Sequence, residues 1–151
     1  MKETYRKLAV SFFNEIWKNI EKGNERTALE NEMMLGYAHS SRLLWGLVGK
    51  DIHFQRGEWL LSHVYALLNR SEPALHHAKQ CWFWTEKNDF KDFDLAFAYE
   101  CLARASACEG AKQDFQEYYT KAQEAGEQIT KKEDREYFLS ELKKGPWFNL
   151  Q

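Results

Sequence analysis

The chain is poor in punctuation: its 151 residues include only two prolines and eight glycines. That scarcity argues against a fold of many short strands joined by tight turns and favours long helices. Its three cysteines, Cys81, Cys101 and Cys108, are an odd number with no paired framework. They exclude a disulfide-stapled scaffold and fit reduced thiols in a cytoplasm. Charge of either sign is not in excess, with 21 basic against 23 acidic residues and no Lys/Arg run longer than two. The concentrated basic surface that nucleic acid or anionic lipid requires is therefore missing. No apolar run approaches the roughly 18 residues of a membrane span. The N-terminal "MKETYRKLAVSFFNEIW" also lacks the uninterrupted apolar stretch of a signal peptide. These absences predict a cytoplasmic protein with neither a nucleic-acid nor a membrane partner.

What is present is apolar and ring-rich. Hydrophobic residues make up 44% of the chain and aromatics 15%, with six tryptophans. Apolar periodicity predicts seven helices and no strand. The first runs from about Thr4 to Lys22 and stops at Gly23. The second, from Glu25 to Val48, is apolar on more than one side and so should be sandwiched between neighbours. Asp51, Ser71 and Asp92 are candidate caps for the third, fourth and fifth helices, which end near Leu68, Lys87 and Gly110. The sixth spans Lys112 to about Ile129. Thr130 and Glu133 have capping-box spacing before the seventh, which "KKGPWFNLQ" terminates. Short connections predict antiparallel neighbours within a single helical domain, 1–151, in which residues 131–151 are a capping helix and tail.

The stretch "SHVYALLNRSEPALHHAKQC" from Ser62 to Cys81 has a counterpart 41 residues downstream. Leu61 corresponds to Leu102, Ser62 to Ala103, Asn69 to Gly110 and Cys81 to Ala122. Each unit has a small residue inside its first helix, a turn residue, and another small residue late in its second helix. Helices approach closely only through small side chains, so this pattern suits a tight hairpin repeated in a stack. Ser62, Tyr65, Ala74, Ala78 and Cys81, and again Tyr99, Leu102, Ala103, Gly110, Tyr119 and Ala122, resemble the tetratricopeptide repeat. Ser106 and Phe115 depart from that pattern, and the period exceeds the family's 34 residues. The excess falls between Cys81 and Tyr99, predicting a lengthened fourth helix. Gly23 and Ala28 hint at a degraded earlier copy. The segments "AHSSRLLWGLVG", "RGEWLLSHVYALL" and "DFDLAFAYECLARA" also resemble a group of small bacterial helical proteins without assigned activity. The resemblance implies a short right-handed superhelix of antiparallel hairpins whose first helices line a concave face.

Carried over by motif, that face holds Arg56, Trp59 and His63 from one unit and Phe97, Glu100 and Arg104 from the next. Val10, Phe13 and Trp17 extend it if the earlier copy is real. Rings and guanidinium groups suit a peptide or protein partner. Two plainer roles compete: Trp59 and Phe97 as ordinary core, and Arg56 with Glu100 or Arg42 with Glu58 as ion pairs between helices. In the tail, Trp147, Phe148 and Leu150 either cover the last helix or fill the groove of this chain or of a second copy, which leaves a homodimer open.

Catalytic and metal patterns are weak. The five histidines form no Glu-x-x-His pair and no His-Glu-x-x-His motif, and His76 and His77 point apart, expected in solvent. No nucleophile elbow or phosphate-cradling glycine loop occurs. No cofactor and no metal is predicted. "HSSR" at 39–42 is a polar patch in an apolar helix. It is read first as a network joining two hairpins, and second as the floor of a small-ligand pocket with His39, Arg42, Trp45 and Trp59. The expected function is therefore a non-catalytic interaction module. The runner-up is a small-ligand-binding or metal-dependent helical enzyme centred on His39, Arg42, Glu58 and His63.

Overall fold

Among the described residues, 1–150, the computed structural model holds seven α-helices and no strand. They are α1 (Lys2–Glu21), α2 (Ala28–Val48), α3 (Asp51–Leu67), α4 (Ser71–Lys87), α5 (Asp92–Glu109), α6 (Lys112–Glu127) and α7 (Lys132–Lys144), with a short 3-10 turn at Gly23–Glu25. The protein is all-α, as the apolar periodicity predicts. Each helix packs on the next, and α3 also packs on α5, and α5 on α7. Connections as short as residues 49–50 and 110–111 force the chain to reverse, giving antiparallel hairpins α1/α2, α3/α4 and α5/α6 with α7 closing one end.

Helix boundaries fall within a few residues of the sequence reading, but the capping chemistry differs. The capping box forms at α2, not at α7. Thr27 Oγ1 accepts the Glu30 N–H, and the Glu30 carboxylate accepts the Thr27 N–H. Residues 23–25 are thereby left out of α2 as a separate turn. Asp51, Ser71 and Asp92 lie one residue inside their helices instead of capping them. Asp92 accepts the N–H of Thr130 at 2.9 Å, tying the start of α5 to the connection before α7. The Lys50 N–H is taken by His53 Nδ1. α4 runs to Lys87 as the sequence predicts; at 17 residues it is no longer than α3, so the extra length of the repeat is not confined to it.

The three hairpin turns share one backbone device. Gly23, Asn69 and Gly110 all have positive φ (57°, 60° and 81°), the left-handed conformation that ends a helix cheaply. At two of them the closing bond repeats: Arg70 N–H to Tyr65 C=O, and 41 residues later Ala111 N–H to Ser106 C=O. The small residues also lie where helices meet. Ser62 is buried and donates to the Ala74 carbonyl across the α3/α4 crossing. Ala103 and Ala122 are fully buried in one core cluster with Phe97, Phe115 and Phe138. Gly126 is needed where α6 crosses α7, because an added Cβ there would overlap the Phe138 ring.

Burial is uneven. The sandwiched helix is α5, buried continuously from Ala96 to Ala107 except at Tyr99, with alanine at five of those positions. It meets α3, α4, α6 and α7, which only a slender helix can do. The sequence reading expects α2 to be sandwiched, and it does pack between α1 and α3, but one of its apolar sides is left uncovered. Among the described residues, α2 packs closely on α1 and α3 alone, and Leu29, Met33, Leu43 and Leu47 stay exposed. Trp59 borders all three core clusters, so it joins the hairpins. In the tail, Trp147 is buried against Phe115 and Tyr119 with its Nε1 donating to the Leu142 carbonyl. The tail thus covers the apolar faces of α6 and α7.

Candidate functional site

The odd-numbered helices present a continuous run of rings. Trp17 of α1 stacks on Trp59 of α3 with centroids 6.2 Å apart. Trp59 meets Phe97 of α5 edge-on at 5.5 Å, and Phe97 meets Phe138 of α7 at 4.7 Å. Residues one period apart are therefore neighbours in space, as when Trp59 Nε1 donates to Glu100 Oε1 at 3.0 Å across 41 residues. Between these helices lies a cleft of about 150 Å³ lined chiefly by Phe13, Trp17, Trp59, Phe93, Phe97 and Tyr137. Phe13 and Tyr137 are exposed at its mouth. Arg56 and Asp94, paired through two hydrogen bonds of 3.1 and 3.2 Å, also line it.

The six residues expected on one face separate by depth. Arg56, Trp59 and Phe97 line the cleft. His63, Glu100 and Arg104 are buried beside it. Arg104 and Glu100, each 1% exposed, pair through bonds of 2.7 and 2.6 Å. Arg104 also donates to the Gly145 carbonyl and lies over the Trp147 ring, which anchors the tail. Arg56 pairs with Asp94 and not with Glu100. His63 stacks on Trp59 at 5.0 Å, and its Nδ1 is buried without a hydrogen-bond partner. Burial, then the positive charges of Arg104 and Arg26, hold its pKa well below the ordinary histidine value, so it is neutral. Val10 is exposed, and it does not line the cleft. Sequence reasoning missed Phe93, Asp94 and Tyr137. Extending the 41-residue period from Phe97 to Phe138 would have brought α7 to this face.

The polar patch of α2 resolves into two sets of contacts. Ser41 Oγ donates to the Ala9 carbonyl, joining α2 to α1. Arg42 Nε reaches Glu58 Oε1 on α3 at 3.3 Å, and His77 Nδ1 of α4 donates to Glu58 Oε2 at 2.7 Å. His39 hydrogen-bonds with the Tyr65 hydroxyl at 2.7 Å and meets His77 edge-on at 5.8 Å. Arg42 lies along Gly57, where an added Cβ would fall 2.7 Å from its Cδ. Burial first, and His77 second, lower the pKa of His39.

Of the runner-up set, His39, Arg42 and Glu58 come together at an open depression of about 490 Å³. Trp45 instead stacks flat on His53 at 4.1 Å, and His63 packs among Trp17 and Trp59. His77 is drawn into the network, contrary to its expected place in solvent; His76 is exposed. Both carboxylate oxygens of Glu58 are engaged, so the cluster reads as a tie between α2, α3 and α4. Among the described residues, no three His, Cys, Asp or Glu side chains are grouped to hold a metal ion. Cys81 and Cys101 are buried, and burial pushes the Cys101 thiol well above its usual range, away from nucleophilic thiolate.

No helix among the described residues is long and apolar enough to cross a membrane. Comparison with protein-family profiles, with curated protein sequences and with solved structures gives no match.

Proposed function

We propose that this chain is a non-catalytic, tetratricopeptide-like interaction module that holds a peptide or partner segment in the aromatic cleft of its odd-numbered helices. One observation carries the reading: the first helices of three successive hairpins and the closing helix α7 converge on a single apolar cleft whose mouth keeps Phe13 and Tyr137 exposed. The cleft is large enough for one anchoring apolar side chain. The Arg56–Asp94 pair beside it offers polar contacts to the flanking backbone, the usual division between an anchor and its rim. The polar cluster around Glu58 favours a structural role over the enzyme reading, because both carboxylate oxygens are already taken up by Arg42 and His77 in ties between helices.

The test is selection of peptides from a displayed random library on the purified chain, followed by titration of the enriched sequences. Enriched peptides should share one large apolar residue. Phe13→Ser or Tyr137→Ser should weaken their binding about tenfold, roughly 1.4 kcal/mol, without changing helicity. These positions serve better than Trp59, whose removal would loosen all three core clusters. No enrichment, or hits indifferent to both substitutions, refutes the proposal.

A further inference from the structure

The neighbour that the composition of α2 predicts is missing from the chain itself. Leu29, Met33, Leu43 and Leu47 are 64%, 42%, 65% and 60% exposed. Gly36 and Ser40 lie between them and are also exposed. The six positions are spaced four, three, four, three and four residues apart, the a/d repeat that keeps one seam facing a partner helix. The seam is also a palindrome in size. Counting outward from position 38, small Gly36 mirrors small Ser40, Met33 mirrors Leu43, and Leu29 mirrors Leu47.

We propose that two copies of this chain pair through an antiparallel contact of their α2 helices, in register about position 38. A two-fold interface uses the same patch on both subunits, so the patch must complement itself when reversed, as this one does. The four large side chains expose on the order of 400 Å² per copy, about half of the ~800 Å² per partner of a standard interface. Tyr37, stacked on Phe12 of α1 at 5.2 Å, and Leu44 widen the seam on one flank, with His39 and Gly46 on the other.

Charge selects the antiparallel direction. Glu32 lies on the Gly46 flank of the seam at the acidic end of α2. In the antiparallel register it comes level with residues 44–46 of the second copy. There the Arg42 guanidinium lies against Gly46, its Nη1 3.4 Å from where a Cβ would be. Glu32 of each copy thus meets Arg42 of the other. A parallel pairing would put the two Glu32 side chains level with each other on opposite sides of the seam, about ten residues from either Arg42, and would forgo that contact.

Sedimentation equilibrium on the full chain, from low to high micromolar concentration, tests the pairing. The wild type should have twice the chain mass. Leu43→Glu, and independently Leu47→Glu, should raise the dimer dissociation constant about 100-fold or more, since each substitution acts twice, with the helical circular dichroism unchanged. Register is tested in a Cys108→Ser background. Gly36→Cys and Ser40→Cys chains should cross-link when mixed and not when oxidised separately. A wild type monomeric at high micromolar concentration, a dimer untouched by both glutamates, or cross-linking of either cysteine variant alone each overturns the proposal.

Discussion

The Glu100–Arg104 pair makes a sharp quantitative test of how the aromatic side of the odd-numbered helices is held. Both residues are 1% exposed, one turn apart on α5, and joined by two short hydrogen bonds. Replacing Glu100 with leucine leaves the guanidinium buried without its carboxylate, with Arg104 Nε already lacking a partner. It also strips the Trp59 indole of its acceptor. Breaking a buried pair from one side costs about 3–5 kcal/mol, roughly a fifth or more of the stability of an ordinary domain. Arg104→Met should cost a similar amount, because it strands the carboxylate and frees the Gly145 carbonyl. The double variant removes both charges and leaves chiefly the unpaired indole, worth about 1–3 kcal/mol. It should therefore be more stable than either single variant. Urea unfolding at neutral pH, followed by circular dichroism and tryptophan fluorescence, reads all three against the wild type at constant m-value. Additive losses, or single losses below about 1 kcal/mol, would show that the pair is not coupled in a dry environment, contradicting the burial on which the reasoning rests.

Two further outcomes follow from the same side of the molecule. His63 is neutral when folded because burial and Arg104 lower its pKa, so the unfolded chain binds a proton that the folded chain refuses. Stability should be full above the unfolded value near 6.5 and fall as pH drops below it, by up to about 1.4 kcal/mol per unit. A His63→Phe variant should lose most of that slope, and one retaining it places the titration elsewhere. Trp147→Ala should cost about 3–5 kcal/mol by opening a cavity against Phe115 and Tyr119, and deleting residues 145–151 should cost at least as much; an unchanged melting temperature in both would mean the tail does not dock.

The helices were legible because their signal is local. The 3.6-residue apolar period and the turn residues at 23, 69 and 110 depend on nearby sequence. Packing order was not, since it depends on which helix is slender enough to be surrounded. The alanines of α5 suit the centre better than the leucines of α2, yet total hydrophobicity suggests the opposite. The cleft was half legible: the repeat placed Arg56, Trp59 and Phe97 on one side. It did not show that the next turn of each helix, carrying His63, Glu100 and Arg104, is buried, or that Arg104 is held by the returning tail. That contact joins Arg104 to Gly145, and no helical periodicity reports it. His77 was misplaced for a related reason. A histidine pair on one helix says nothing about Glu58 waiting on another.

The two ends of the stack are finished differently, and this bears on the proposed pairing. A row of stacked hairpins needs a polar outer face at each end to remain dispersed. At the C-terminal end, α7 and the tail bury Trp147, while the exposed side of α6 carries residues such as Gln113, Glu117, Glu124 and Glu127. At the N-terminal end, α2 offers Leu29, Met33, Leu43 and Leu47, and Arg42 is the sole charge from Met33 to Gly49. Such a patch is in the range that on a monomer marks an interaction site. If a second copy supplies the missing cap, the two aromatic clefts remain open, because no residue lining the cleft belongs to α2. A dimer would then hold two anchors of one partner at once, and binding would depend on chain concentration through α2 while single-anchor affinity would not. Comparing a one-anchor with a two-anchor peptide on wild type and Leu43→Glu separates these contributions. Only the two-anchor peptide should lose affinity when the pair is broken.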